Sequence, residues 1–469
     1  MRVAGSTAPL WTALLALAGG AAWAPVAAKL LGLAAHLTGL VLMDRLVRQL
    51  GGSRGAAAVA VVAFGVTDRL VFAALSGMEV SLFNALLLAG LLRHGEERAD
   101  AGRAPVSFLL FGLAALARPE GLLLPLLAAL DRALRAHPGG VDLEVDGRGL
   151  RRAAVGLAVA AVIVVPVALA YLAISGSPLP TTLGAKASGP PRFVLELRHL
   201  RIVLEILFQS QPVFTLLAAG GAVTLVSRIG TPRDGGLLLP MWTFALPIAS
   251  AMLSSGEEFL AGNFGRYFFP LLPCVILLGL VALEPVASAR LRTLRLAGAL
   301  RLPLVAIGLA VLLLPPLQRT ARVFSLHLQA RTNVEQTDLA AARWLAAHVT
   351  PEARLAVVDI GLVKYLLPNP VVDLGGIVSP ERQEFVRRAR REQGASWPVA
   401  LQQWLETQQP DYVVSFPKWF PILEREPERF PPLVRFRIRD NVAMAGDELV
   451  VYATPWSRPA TRREPAGTR

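Results

Sequence analysis

Apolar runs and short polar clusters alternate along the chain. Ala24–Met43, Arg152–Leu172, Gly235–Leu253, Tyr267–Leu283 and Leu302–Leu314 are apolar stretches, each at or near the roughly 20 residues that a membrane-spanning helix needs. The loops between them fall into two alternating sets by charge. One set is rich in arginine, with Arg45, Arg48 and Arg54, then Arg93, Arg98 and Arg103, a group from Arg132 to Arg152, Arg228 and Arg233, and Arg290 to Arg301. The other holds only Arg69, Arg118, Lys186, Arg192, Arg198, Arg201 and Arg266. Short Lys/Arg-rich loops stay cytoplasmic, so the second set is expected on the outer face.

That parity requires two hairpins of short helices, 55–75 with 80–93 and 106–117 with 120–134. Their tips are Ser76-Gly77-Met78-Glu79 and Arg118-Pro119-Glu120. A single span through Arg118 would leave its guanidinium in hydrocarbon, and Pro119 removes a helical N–H at that point. Half-length helices of this kind need protein neighbours to shelter their backbone ends. Further spans are expected near 24–44, 152–175, 211–228, 235–253, 266–285 and 301–319. A long outer loop over 176–210 is expected to hold an amphipathic helix at 193–208.

From residue 328 the pattern changes. Helical periodicity over 334–348, 381–393 and 397–409 alternates with short strand-like runs at 354–360, 411–416, 433–439 and 448–453. The expected organisation is an α-helical polytopic membrane module over 1–327, a small α/β extracytoplasmic domain over 328–456, and a disordered polar tail over 457–469.

Composition agrees. Hydrophobic residues make up 54% of the 469, and the net charge of +13 comes from loop arginines, so it is explained by topology and not by nucleic acid. The single cysteine, Cys274, lies in an apolar run, which rules out an intrachain disulfide. Residues 8–24 imitate a secretory signal, with Ala22-Trp23-Ala24 like a cleavage site, but another apolar run follows at once. They are read as a membrane or interfacial segment.

Ionisable groups at membrane depth are expensive and mark sites. An acid at Glu79, the pair Arg118 and Glu120, and the base Arg266 beside Tyr267 all fall on the outer side in this topology, as does Lys186. Such a set suits a charged, lipid-linked, phosphorylated substrate, because a guanidinium matches phosphate oxygens with its planar fork. Each residue also has a plainer job: Arg118 pairing with Glu120, Lys186 and Arg266 snorkelling to headgroups, and Glu79 sitting at a helix N-terminus. His36 reads as a packed intramembrane residue, and Asp68 with Arg69 as a self-neutralising pair. Asp359 and Asp373 read as turn caps, and Trp11, Trp23 and Trp242 as interfacial anchors. No His/Cys ligand cluster is present, and a divalent metal is possible without being required.

The chain resembles the GT-C superfamily of polytopic glycosyltransferases, and within it a bacterial branch that includes arabinofuranosyltransferases and relatives of protein mannosyltransferases. The stretches that carry the resemblance are Gly5 to Thr12 (GSTAPLWT), Ser76 to Glu79, Ala117 to Gly121, Pro178 to Thr182 with Lys186, Gly265 to Pro270, Val358 to Gly361 and Val372 to Gly376. It implies transfer of a sugar from a polyprenyl-phosphate donor to a glycan, lipid or protein hydroxyl, on the outer face of a bacterial plasma membrane. Glu79 would then be the second acidic position and the catalytic candidate, with Arg118, Lys186, Arg266, Tyr267 and Glu120 binding substrate or phosphate. The resemblance also implies a first helix and an acidic loop ahead of Gly5, which this sequence does not carry. A start placed downstream of the true one is the favoured explanation. Two other functions stay open from sequence: a transporter or flippase of lipid-linked saccharide, and an inactive glycan-binding paralogue.

Overall fold

The computed structural model describes residues 4–100, 102–136, 143–180, 182, 197–231, 234–253, 262–293 and 298–458. By internal contacts the chain divides into two units, one of residues 6–170 with 187–324, the other of 1–5, 171–186 and 325–469.

The first unit is helical. After a short helix α1 (Pro9–Leu17) comes α2 (Ala24–Gln49), then α3 (Arg54–Gly65) and α4 (Asp68–Ser76), bent by 55° at the break between them. The Ser53 hydroxyl caps α3 by accepting the Ala56 N–H at 3.1 Å, the usual way a helix satisfies its free amide groups. Gly77 ends α4 in the left-handed region, φ +74°, a conformation that glycine adopts without penalty. This lets the chain reverse into α5 (Val80–Ala99). The second hairpin is α6 (Val106–Ala117), a 3-10 turn over Pro119–Leu122, and α7 (Leu123–Ala133). The chain breaks between helices at the foreseen residues, near Gly77 and Pro119, but the one helix expected over 55–75 is two, α3 and α4.

Beyond a small β-hairpin, β1 (Leu134–Ala136) with β2 (Leu143–Val145), come α8 (Gly147–Ser175), α9 (Leu197–Ser210), α10 (Pro212–Ser227), α11 (Leu238–Leu253), α12 (Leu271–Thr293) and α13 (Gly298–Val334). The hairpin strands were not foreseen. Among the described residues α2 and α8 are individually long and apolar enough to cross a membrane, and the bent pairs α3–α4 and α9–α10 qualify when each is taken together. Among the described residues the apolar parts of α6, α11 and α12 are shorter than a full span. Only 6% of the most apolar stretch of α8 is buried, and Val162, Val165, Leu169 and Leu172 point outward. An apolar surface of that length belongs in lipid, not water. The interior is packed through small residues. A Cβ on Gly221 would lie 1.9 Å from the Leu278 carbonyl oxygen, so α10 and α12 touch backbone to backbone. Trp242 corrects the interfacial reading: it is fully buried, 6.1 Å from the Phe83 ring. His36 packs as expected, stacked on Phe64 at 4.9 Å.

The second unit holds a five-stranded sheet in the order β4-β3-β5-β7-β6, from β3 (Leu355–Val357), β4 (Val371–Asp373), β5 (Tyr412–Ser415), β6 (Pro432–Arg437) and β7 (Glu448–Ala453). β4, β3 and β5 are parallel; β7 runs antiparallel to β5, and β6 antiparallel to β7. Both faces are covered. Ala356, Val413, Val450 and Tyr452 pack under α16 (Pro380–Glu392) and α17 (Trp397–Gln408). Their chain neighbours Leu355, Val357, Val414 and Val451 face α14 (Ala340–His348) and α15 (Ile360–Leu366), the period-two alternation of a strand buried on both sides. The expected change at residue 328 falls inside α13, which continues through a π-helical turn, Glu335–Leu339, into α14. Helical propensity never lapses between the apolar run and the amphipathic one. Residues 459–469, most of the expected tail, lie outside the described residues.

Candidate functional site

Three polar segments meet in the helical unit. α5 begins immediately after Glu79, and α6 ends at Arg118, whose extended backbone (φ −153°, ψ 138°) turns the chain into Pro119. A 3-10 segment over Gly262–Phe268 brings in Arg266 and Tyr267, with Gly265 at φ +74°. A side chain on Gly265 would collide with Ile206 of α9, 2.3 Å from its Cδ1, so the tight turn also depends on that close approach.

Arg118 is the hub. Its Nη1 donates to Glu79 Oε1 at 2.8 Å and its Nε to Glu120 Oε1 at 2.6 Å. The Arg118 side chain is 3% exposed, against 20% for Glu79 and 17% for Glu120. Its guanidinium lies 5.4 Å from the centre of the Tyr267 ring, and that of Arg266 lies 5.5 Å from the same ring. Arg266 Nη1 approaches Met78 Sδ at 3.4 Å. Formal charges balance between two carboxylates and two guanidiniums, but they are not shared equally. Arg118 holds both acids, whereas no described carboxylate pairs with Arg266, and its Nε is buried without a hydrogen-bond partner.

The sequence-derived candidates Glu79, Arg118, Glu120, Arg266 and Tyr267 are thus brought together. Lys186, and the loop acids Glu257 and Glu258, lie outside the described residues. Arg69 does more than neutralise Asp68. Besides that 3.5 Å contact it donates to Ser210 Oγ at 2.5 Å and to Gln209 Oε1 at 2.8 Å, tying α4 to the end of α9. Asp373 is a turn cap as read, its two oxygens accepting the Gly376 and Val378 N–H groups at 2.9 and 2.6 Å.

Sequence reasoning missed a second polar cluster at the far ends of the hairpin helices. Glu97 accepts from the Ser107 N–H and hydroxyl at 2.8 and 2.6 Å and from Arg132. His94 Nε2 lies 2.7 Å from Asp131 Oδ2, and Arg98 bridges Asp131 and Asp234 at 3.2 and 3.1 Å. The signal was available: His94, Glu97 and Arg98 recur at helical spacing, on a face that must turn inward if the neighbouring arginines turn outward. Among the described residues no three His, Cys, Asp or Glu side chains gather as metal ligands.

The likeness to known proteins lies in the fold. A family model described as a domain of unknown function (DUF8728) matches residues 326–457. No curated protein sequence matches significantly. Among solved structures, ArnT from Cupriavidus metallidurans in the apo state superposes with a TM-score of 0.54 at 16% identity, over 98% of this chain and 95% of that one. Its undecaprenyl phosphate-bound form gives 0.52. The Archaeoglobus fulgidus oligosaccharyltransferase, tethered with an acceptor peptide, gives 0.52 at 12% identity, over 83% of this chain and 58% of that one. The chain therefore shares its fold with ArnT along nearly its whole length.

Proposed function

We propose that this chain is a membrane glycosyltransferase that moves a sugar from a polyprenyl-phosphate donor to an acceptor hydroxyl at the membrane surface. The observation that carries the reading is the meeting of Glu79, Arg118, Glu120, Arg266 and Tyr267 at one end of the helical unit. The fold it shares with ArnT, which was solved with undecaprenyl phosphate, supports a lipid-linked donor. The oligosaccharyltransferase complex with its acceptor peptide keeps protein among the acceptors, beside glycan and lipid.

In this reaction the acceptor oxygen attacks the anomeric carbon and forms the new glycosidic bond. The bond to the phosphate oxygen breaks and its electron pair leaves on the polyprenyl phosphate. A carboxylate takes the hydroxyl proton, and cations stabilise the departing anion. Glu79 is assigned to the acceptor side, because it sits at the tip of its hairpin with a carboxyl oxygen beyond the one that Arg118 holds. Arg266 is assigned to the phosphate, because no described carboxylate pairs with it. Tyr267 presents a ring for the sugar, and Arg118 fixes the two acids in place. The site faces the extracytoplasmic side of a bacterial plasma membrane in this reading, which rests on the arginine asymmetry of the loops. Lys186 is assigned to the same phosphate on resemblance alone.

The test is transfer by the purified protein in lipid nanodiscs. Polyprenyl-phosphate sugar should yield free polyprenyl phosphate and a glycosylated acceptor, and Glu79→Gln should suppress both. Movement of lipid-linked sugar across vesicles with no new glycosidic bond would favour a transporter instead.

A further inference from the structure

The end of the helical unit away from Glu79 holds a cavity that the proposed reaction does not use. It has a volume of about 390 Å³ and is partly open to the outside. Val47 and Leu50 at the end of α2 line it on one side, with Leu277, Leu280, Val281 and Leu283 of α12 on another. The turn Gly51–Ser53 and Ala56 of α3 complete the wall. Glu284 is the one charged lining residue. Arg228 Nη2 donates to its carboxylate at 2.7 Å, and Arg228 Nη1 reaches the Leu50 carbonyl at 3.5 Å. One guanidinium thus ties α12 to the end of α2 and balances the only lining acid.

Gln49 fixes the level of the cavity. Its Nε2 donates to the Leu92 carbonyl at 2.9 Å, which lies on α5 about 20 Å of helix beyond Glu79.

Native interiors are close-packed, with few voids larger than a water molecule. A mostly aliphatic cavity of this volume falls in the size range of ligand sites. Two observations say what fills it. The surface around it is apolar: Val62 of α3 and Val223 and Val226 of α10 are exposed, and α10 packs directly on α12 at Gly221. Hydrocarbon chains, not water, suit such a surface. The rim is cationic. Residues 44–54 carry Arg45, Arg48 and Arg54, all exposed, against Asp44 alone, and the lining turn lies between Arg48 and Arg54. Basic pockets between membrane helices take anionic headgroups.

We propose that this cavity binds one anionic phospholipid, with an acyl chain against Val47, Leu280 and Val281 and the phosphate against Arg48 and Arg54. The arginine asymmetry of the loops puts it in the cytoplasmic leaflet, whose anionic lipids attract basic segments of this kind. The lipid fills the space between the α2–α3 corner and α12. The proposal rests on the membrane reading of these helices and not on the transferase assignment.

The probe is phosphatidylglycerol, titrated onto the full chain in detergent, with phosphatidylcholine as the comparison and native mass spectrometry as the readout. One saturable phosphatidylglycerol is expected, preferred over phosphatidylcholine by about 30-fold, the combined worth of two arginines beside an anionic headgroup. Ala56→Phe, which fills the cavity, should abolish that saturable binding. The double variant Arg48→Gln with Arg54→Gln should still bind one lipid but lose at least tenfold of the preference. Both arginines are exposed, so this variant reports even if the added ring perturbs folding. Glycerol phosphate, which has no acyl chain, should not compete. Arg266→Ala should bind as the wild type does, which separates this site from the Tyr267 cluster. Absence of saturable phosphatidylglycerol in the wild-type protein, equal binding in Ala56→Phe, an unchanged preference in the arginine variant, competition by glycerol phosphate, or loss of binding in Arg266→Ala overturns the proposal.

Discussion

Arg118 Nη1 lies 2.8 Å from Glu79 Oε1, and this contact joins the tips of two helical hairpins 39 residues apart in sequence. With Glu120 on its Nε, one nearly buried guanidinium holds two acids that would otherwise repel each other. Removing it leaves both without a counter-charge. Arg118→Ala should cost about 3–5 kcal/mol, the range for breaking a buried pair from one side. Thermal unfolding in detergent measures it, and Arg118→Lys should recover only part, because an ammonium lacks the planar fork.

Glu79 and Glu120 share Arg118 but differ in placement, and the transferase reading makes them unequal. Glu79→Gln should reduce turnover by roughly 10²–10⁴, the usual contribution of a proton-transferring group, with its melting temperature close to wild type. Glu120→Gln should cost less than about tenfold in rate and show mainly as lost stability, since its role is to hold Arg118. Steady-state kinetics beside a melting curve separate the two. Equal rates for both variants would remove Glu79 from its assigned role.

The far ends of the same helices are held by Glu97 with Ser107 and Arg132, and by His94 with Asp131. Glu97→Ala should cost about 3–5 kcal/mol through the unpaired Arg132. Ser107→Ala removes one hydroxyl donor and should cost about 1–3 kcal/mol, because the Glu97 oxygen it served stays buried. Chemical denaturation of the two variants checks the order.

Gly221 tests the packing between α10 and α12. An added methyl group would fall 1.9 Å from the Leu278 carbonyl oxygen, against backbone that cannot rotate away. Gly221→Ala should therefore lower the yield of monodisperse protein sharply, whereas Gly308→Ala, with open space around it, should not. Size-exclusion chromatography after extraction reads the difference.

Much of this architecture is legible in the sequence because two simple quantities carry it. Arginine asymmetry between loops locates the hairpins around Glu79 and Arg118, and helical periodicity with strand alternation locates α16, α17, β5 and β7 within a few residues. What escapes depends on three-dimensional neighbours. Trp242 looks like an interfacial anchor until α5 brings Phe83 against it. The Glu97–Ser107–Arg132 cluster exists only because α5, α6 and α7 converge at the ends far from Glu79 and Arg118. That Arg118 pairs with both Glu79 and Glu120 is likewise invisible in the sequence, where Arg118 and Arg266 are both single arginines beside an apolar run.

The central claim is that the cluster around Tyr267 receives the phosphate of a lipid-linked donor, with Arg266, which pairs with no described carboxylate, as the cation. Binding of a short-chain polyprenyl phosphate to the purified protein in nanodiscs tests it directly. Hydrogen bonds to charged groups are worth about 1.5–3 kcal/mol, so Arg266→Ala should weaken saturable binding by roughly 10–150-fold while the melting temperature holds. Unchanged affinity in Arg266→Ala, or the absence of saturable binding in the wild-type protein, would contradict the account.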